Sequence, residues 1–181
     1  MKRHGKTGGF TLMELLVVLT IAAILMAVAA PALQNLVTSS QLTAVTDDFV
    51  ATLNLARSEA GRTGANVSVS TTGGADWGGS GWSVTNGAQT LRQAAPLPAG
   101  YSLKTNDPFD NGPVIFDSTG RVVGGAGKFL LCQGGGPANG GAAKLITIAA
   151  SGRVRIAQNY NSAGWPLDDS GNPVQPCDLG G

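Results

Sequence analysis

The sequence predicts an α+β fold, in which one long N-terminal α-helix packs on an antiparallel β-sheet domain. Up to about residue 60, the chain has a continuous apolar run followed by apolar side chains at helical spacing. Beyond residue 66 it consists of short apolar segments separated by glycine. Glycine is unusually frequent, with 27 of 181 residues, against about 7% in an average protein. This change of pattern predicts a helix followed by strands and tight turns.

The first half of the helix is long and apolar enough to span a membrane. Residues 10–33 contain one charge, Glu14, and about 20 apolar residues suffice for a crossing. Lys2, Arg3 and Lys6 precede this segment. Basic residues before an apolar core also describe a secretory signal, but this stretch is longer than a signal core and no convincing cleavage site follows it. Because basic flanks stay in the cytoplasm, the rest of the chain is expected to be exported.

Residues 34–61 are predicted to form an amphipathic second half of the same helix. Its apolar side chains recur at intervals of three and four residues: Leu42, Val45, Phe49, Leu53, Ala56 and Ala60. This spacing places them on one face, which is expected to pack on the sheet, with a partner-binding face as the alternative. Gly61, reinforced by Gly64, predicts the end of the helix.

Residues 62–181 are predicted to form a β-rich globular domain. Nine strands are expected between glycine-containing turns: Val67–Ser70, Trp82–Thr85, Thr90–Gln93, Tyr101–Lys104, Pro113–Asp117, Arg121–Val123, Lys128–Cys132, Lys144–Ala149 and Arg153–Ala157. The glycine-rich segments Gly73–Gly81 and Gly134–Gly141 are expected to be flexible loops. Neither has the spacing of a phosphate-binding loop followed by a helix, so no nucleotide site is predicted.

The cysteines and the single histidine restrict the possible chemistry. Cys132 and Cys177 suit an exported protein in an oxidising compartment. A disulfide between them would tether the C-terminal tail, and two free thiols are the alternative. His4 is the only histidine, so a nucleophile–histidine–acid set and a four-ligand zinc site are both excluded once the first residues are removed. We therefore expect no enzymatic activity, no cofactor and no metal.

The segment around Gly9 closely resembles the processing site of type IV prepilins and type II secretion pseudopilins, since residues 6–14 read KTGGFTLME. The resemblance implies that residues 1–9 are a leader peptide, cleaved after Gly9 by a prepilin peptidase, and that Phe10 is then N-methylated. It also implies that Glu14 acts in filament assembly, where its carboxylate meets the N-terminal ammonium of a neighbouring subunit. Pro31 stands where the family has a helix proline.

A cluster of basic residues is a candidate binding surface. Between Ser118 and Leu167 the chain has five basic residues and no acidic one: Arg121, Lys128, Lys144, Arg153 and Arg155. Loss of the leader would leave nine Lys and Arg against eleven Asp and Glu, so this cluster does not follow from overall basicity. Charges at solvated strand ends are the alternative interpretation.

The segment Gly152-Arg153-Val154-Arg155 makes the binding interpretation specific. Glycine favours a turn, and the two arginines alternate with Val154, so both guanidiniums leave the same face of a strand. Such a pair can fork onto phosphate oxygens, with a charge that does not depend on pH. Because the contacts would be to phosphate, sequence specificity is expected to be poor.

This Gly-Arg-x-Arg segment resembles the motif of FimT-like members of the GspH/FimT group of minor pilins. Residues 81–84 (GWSV) and 114–121 (VIFDSTGR) also look like elements of that group. The resemblance implies DNA binding during natural transformation, with Gly152, Arg153 and Arg155 at the site and Arg121, Lys128 and Lys144 around it.

The implied partners are the DNA phosphate backbone, other major and minor pilins, the prepilin peptidase and the inner membrane. The implied location is the inner membrane with a periplasmic domain, and then a cell-surface pilus. The alternative is a structural or priming FimU-like minor pilin, or a GspH-like pseudopilin of type II secretion, without DNA binding.

Overall fold

The computed structural model describes residues 11–73, 77–105, 109, 112–175 and 177. The chain divides into two compact units, Met1–Ser40 and Gln41–Gly181. Its helices and strands are α1 Leu12–Thr63, β1 Val67–Thr71, α2 Trp77–Ser80, β2 Trp82–Asn86, β3 Gln89–Gln93, β4 Tyr101–Thr105, β5 Val114–Phe116, β6 Val122–Val123, β7 Gly127–Gln133, a 3₁₀ turn Pro137–Asn139, β8 Ala142–Ile148 and β9 Val154–Ile156. This content confirms the predicted α+β class.

The first unit contains the apolar half of α1. Its window Leu12–Ala29 has a mean hydropathy of 2.6 and is nowhere buried, so by length and composition it could cross a membrane. The Thr11 hydroxyl accepts the Glu14 N–H at 3.2 Å and caps the start of the helix. The Glu14 side chain is exposed. The leader, Gly9 and Phe10 lie outside the described residues.

The second half of α1 carries the predicted stripe, which is buried in the second unit. Leu42, Phe49 and Leu53 are at most 2% exposed, and Ala56 and Ala60 are fully buried, with Val45 packed at the margin. The prediction that this face packs on the sheet is therefore confirmed. The helix passes through Gly61 and ends at Thr63, because the left-handed conformation that stops it belongs to Gly64, with φ 67°.

The strands form two antiparallel sheets where the sequence had predicted one antiparallel sheet domain. A five-stranded sheet has the order β3-β2-β1-β5-β6, and a four-stranded sheet has the order β4-β7-β8-β9. Each of the nine predicted strands is present within two residues of its expected ends. The stripe of α1 and the inner faces of both sheets share one core, in which the Phe49 ring lies 4.9 Å from the rings of Trp82 and Phe129.

The opposite face of the four-stranded sheet is covered by the C-terminal tail. Trp165 packs there with Leu130 and Leu145, and it is 5% exposed. The disulfide between Cys132 and Cys177 ties the tail to β7. One face of this sheet therefore meets the helix, and part of the other face meets the tail.

The two glycine-rich segments, which the sequence predicts to be flexible loops, contain packed residues and short helical turns where the structure describes them. Trp77 begins the short helix α2, is 2% exposed, and donates its indole N–H to the Phe109 carbonyl at 3.3 Å. In the other segment, Gly136 packs so tightly that a Cβ would lie 2.2 Å from the Cys177 sulfur. In both segments, burial against a distant aromatic or sulfur group overrides the local freedom of glycine.

Candidate nucleic-acid interface

Gly152 and Arg153 lie in the tight hairpin between β8 and β9, which we call the second Gly-Arg turn (residues 149–153). The Ala149 N–H donates to the Arg153 carbonyl at 3.0 Å, and the Gly152 N–H donates to the Ala149 carbonyl at 2.8 Å. Gly152 has a φ of 77°, as the last loop residue of a three-residue hairpin requires. Gly152 is predicted from the sequence to lie at the binding site itself, but in the structure it is buried and shapes the turn.

The hairpin between β5 and β6 repeats this geometry and forms the first Gly-Arg turn (residues 117–121). The Asp117 N–H donates to the Arg121 carbonyl at 2.9 Å, and the Gly120 N–H donates to the Asp117 carbonyl at 2.8 Å. The Asp117 carboxylate also accepts the Thr119 hydroxyl at 2.6 Å and the Arg121 N–H at 3.0 Å. The Thr119 hydroxyl, followed by that N–H, holds the pKa of Asp117 below its ordinary value.

The two Gly-Arg turns pack directly against each other. A Cβ on Gly152 would lie 1.9 Å from the Gly120 carbonyl oxygen, so only glycine fits at this position. The Val122 N–H donates to the Ala150 carbonyl at 3.1 Å and joins the turns a second time. Arg121 and Arg153, which follow the two touching glycines, are both exposed, and no described residue bonds either guanidinium. The packing of the two turns therefore brings together Arg121 and Arg153, both of which the sequence predicts at the binding surface.

Arg57 on α1 connects both turns to the helix. Its Nε donates to the Gly120 carbonyl at 3.1 Å and its Nη2 donates to the Ser151 carbonyl at 3.2 Å. Arg57 is not among the residues that the sequence predicts at this site. The sequence feature that could have indicated Arg57 is its position immediately after Ala56. An arginine at this position borders the buried stripe, and its guanidinium can reach the end of a sheet.

Arg155 lies on β9 on the outer face of the four-stranded sheet. It pairs across the strands with Thr147, which pairs in turn with Lys128, so these three side chains form one row. Val154 packs against the core between the exposed Arg153 and Arg155. The two arginines and Lys128 line one open cleft of about 280 Å³.

An acidic loop of the tail, residues 168–171, borders the same cleft. The Asp168 carboxylate accepts a hydrogen bond from the Lys128 ammonium at 2.7 Å. This bond, followed by bonds from N–H groups of the loop, holds the pKa of Asp168 below its ordinary value. Asp169 lies 3.8 Å from Arg155, with both side chains more than half exposed, so this pair is weak. Lys128 is consequently engaged by protein, whereas Arg155 stays available to an external anion.

The acidic loop is closed by a turn like the two Gly-Arg turns. The Asp168 N–H donates to the Asn172 carbonyl at 2.9 Å, and the Gly171 N–H donates to the Asp168 carbonyl at 2.9 Å. Gly171 has a φ of 81°, close to that of Gly152, but an added Cβ would meet no atom within 4 Å. The three turns share a backbone conformation and differ in what surrounds the glycine.

Lys144 is not brought to this site. It alternates along β8 onto the face of Ile146 and Ile148, which belong to the helix-side core, whereas Thr147 faces the cleft. Its ammonium lies 5.8 Å from the centre of the Tyr160 ring, a cation–π contact. Of the six residues that the sequence placed at the interface, Arg121, Arg153 and Arg155 form the exposed cationic surface.

Two family profiles match the chain. The family described as type II transport protein GspH matches residues 45–152, and the prokaryotic N-terminal methylation motif matches residues 5–30. No curated protein matches it.

Two crystal structures of the type IV minor pilin FimU from Pseudomonas aeruginosa share the fold. One has a TM-score of 0.58 at 23% identity, covering 77% of this chain and 96% of that chain. The other has a TM-score of 0.56 at 21% identity, covering 75% and 98%. These similarities confirm the predicted pilin-like fold.

Proposed function

We propose that this chain, which belongs to the GspH family of pilin-like structural proteins, is a minor pilin of a type IV pilus that binds DNA and supports its uptake in natural transformation. The binding surface is the exposed cationic surface formed by Arg121, Arg153 and Arg155. The observation that supports this proposal is the exposure of these three guanidiniums around two fused turns.

The physical argument rests on rigid presentation of permanent charges. Arginine stays protonated at every physiological pH and can give two parallel hydrogen bonds to phosphate oxygens. The backbone of Arg153 and Arg155 belongs to a hairpin whose turn packs closely against the first Gly-Arg turn, so little backbone entropy is lost when the two arginines bind. Contacts to phosphate carry no base information, and we expect binding to unrelated duplexes with similar affinity.

In this proposal, the N-terminal part of the chain anchors the subunit in the membrane and mediates its assembly into the filament. Prepilin peptidase removes residues 1–9 after Gly9, and Phe10 becomes the methylated first residue. Residues 10–33 hold the subunit in the inner membrane and later form the filament core with other pilins, while residues 34–61 lead to the globular domain, residues 62–181. Before assembly this domain lies in the periplasm, and afterwards it is displayed on the cell-surface pilus.

Glu14 is assigned to subunit contact. An unpaired carboxylate in an apolar helix bundle is costly, whereas a carboxylate paired with the ammonium of a neighbouring subunit is tolerated. We expect Glu14→Ala to leave the processed protein in the membrane fraction and to remove it from sheared filaments. Normal incorporation of this variant into filaments would contradict the assignment.

A second candidate function is a structural or priming subunit, in a pilus or in a type II secretion pseudopilus, that does not bind DNA. The position of the acidic loop favours it, because Asp168 engages Lys128 and Asp169 lies beside Arg155. These carboxylates lower the positive potential of the cleft that a phosphate backbone would approach.

Binding by full-length protein in a non-ionic detergent separates the two candidates. We expect Arg153→Ala with Arg155→Ala to weaken binding to fluorescent duplexes of unrelated sequence by about tenfold or more, since each charge-assisted contact contributes on the order of 1 kcal/mol. Arg62→Ala with Arg92→Ala is the matched control, because it removes the same charge from exposed or half-exposed pairs with Glu59 and Asp48. Equal binding by the two double variants would contradict the proposal.

The same double variants test the function in cells. Normal pili with loss of DNA uptake in Arg153→Ala with Arg155→Ala would support the first candidate. Normal uptake in that variant, together with loss of piliation or of protein secretion on deletion of the chain, would support the second.

A further inference from the structure

One helix residue, Arg57, is joined to both Gly-Arg turns by hydrogen bonds. Its guanidinium spans the Gly120 carbonyl at 3.1 Å and the Ser151 carbonyl at 3.2 Å. These acceptors are far from Arg57 in the chain and belong to hairpins of different sheets. Arg57 is half-buried; its bond to the Gly120 carbonyl is partly buried, whereas its bond to the Ser151 carbonyl is exposed.

We infer that Arg57 is a positioning residue of the cationic surface, which holds the two Gly-Arg turns in one orientation so that Arg121 and Arg153 meet the same phosphate backbone. This inference rests on the proposed DNA binding. Arg57 acts through the turns, and the exposed arginines make the contacts with DNA.

The packing around Arg57 shows why the turns depend on it. A Cβ on Gly120 would lie 3.3 Å from the Cγ and Nε of Arg57, and a Cβ on Gly152 would lie 3.0 Å from that Nε. Side chain and glycines thus form one close-packed layer, with the Gly120 carbonyl at its centre. Rotation of either turn away from Arg57 would break its hydrogen bond to that side chain.

The number of connections supports the same conclusion. The turns already meet where Gly152 packs on the Gly120 carbonyl and where the Val122 N–H donates to the Ala150 carbonyl. Arg57 adds two bonds from the helix side, which fix the orientation of both turns relative to α1. The helix stripe beside Arg57 is buried in the core, so this part of α1 is held in place. Arg57 therefore holds both hairpins in a fixed position relative to the helix.

Replacement of Arg57 by lysine separates position from charge. A lysine ammonium keeps the positive charge but is a compact donor without the planar fork that reaches two acceptors. Arg62→Lys is the matched control, since Arg62 lies on the same helix and also makes a forked pair, with Glu59 at 2.8 and 2.6 Å.

The experiment measures duplex affinity of full-length protein in non-ionic detergent at low salt. We expect Arg57→Lys to weaken binding about threefold to tenfold, the cost of reordering one or two side chains on binding, and Arg62→Lys to change it by less than about twofold. In the Arg153→Ala, Arg155→Ala background, Arg57→Lys should cause little further loss, because Arg121 then has no Arg153 with which to share a phosphate backbone.

Hydrogen exchange gives an independent readout of orientation. We expect faster amide exchange in both Gly-Arg turns of Arg57→Lys, with unchanged exchange in β7. General unfolding of the variant would instead accelerate amide exchange in β7 as well. In that case Arg57→Gln, which keeps one donor group, is tested in the same way.

Three results would overturn the inference: wild-type affinity of Arg57→Lys and Arg57→Gln, an equal loss from Arg57→Lys in the wild-type and double-variant backgrounds, or unchanged exchange in the turns. Absence of DNA binding by the wild-type protein would overturn the proposed function itself. The exchange measurement would then still decide whether Arg57 holds the turns together.

Discussion

Gly152→Ala should destabilise the fold far more than the same substitution in an almost identical turn. An alanine at φ 77° incurs about 1–2 kcal/mol for the left-handed conformation. In addition, its Cβ would lie 1.9 Å from the Gly120 carbonyl oxygen. This acceptor is backbone and is fixed by Arg57, so the turns must separate and lose hydrogen bonds, each worth about 1 kcal/mol. We expect a total loss of about 3–4 kcal/mol.

Gly171→Ala is the matched control, because Gly171 has φ 81° and open space around its Cβ position. It should lose only the conformational part, about 1–2 kcal/mol. For a protein of this size, 1 kcal/mol corresponds to about 2–4 °C in Tm. The two variants share the conformational part and differ by about 2 kcal/mol, so thermal unfolding followed by circular dichroism should place Gly152→Ala about 4–8 °C below Gly171→Ala. Equal melting temperatures would refute the argument that packing of the two turns requires glycine.

Three further predictions concern the acidic loop, the carboxylates and the disulfide. Asp169→Asn should raise duplex affinity by up to about fivefold in a titration at low salt, since an exposed pair is worth about 0.2–1 kcal/mol; weaker binding would contradict the inhibitory position of this carboxylate. Because the pKa values of Asp117 and Asp168 are lowered in the folded protein, their stabilisation is present above the unfolded pKa of about 3.9 and is lost as the pH falls through the folded values. The Tm should therefore fall as the pH decreases below about 4, and it should fall less in Asp117→Asn; an equal fall would contradict this role. Replacing Cys132 and Cys177 by serine opens a loop with a separation of 45 residues and should cost about 4 kcal/mol, with a red shift of tryptophan fluorescence as the tail loosens; an unchanged spectrum would show that the tail packs without its tether.

Local patterns in the sequence were sufficient to predict the long helix and the nine strands. The strands are short apolar runs, and glycine turns mark their ends, so each could be placed from neighbouring residues. The end of α1 was predicted two residues early, because Gly61 can remain helical and the stop depends on the backbone conformation of Gly64. The helix at Trp77 escaped prediction since it depends on burial against Phe109, which is distant in the chain.

The binding surface could be predicted from the sequence only for residues that are neighbours along the chain. The alternation of Arg153 and Arg155 places both on one face of a strand, and the structure agrees. Lys144 has the same charge and lies in a neighbouring strand, but the alternation of β8 turns it to the other face. Arg57 comes to the site through the packing of a helix on two hairpins, which no local pattern encodes.

The salt dependence of DNA binding tests the central claim most directly. Each phosphate contact contributes about −0.9 to the slope of log Kobs against log salt concentration. Contacts from Arg121, Arg153 and Arg155 should therefore give a slope of about −2.7, falling to about −0.9 in Arg153→Ala with Arg155→Ala. An unchanged slope in that variant would contradict the assignment of DNA binding to this surface.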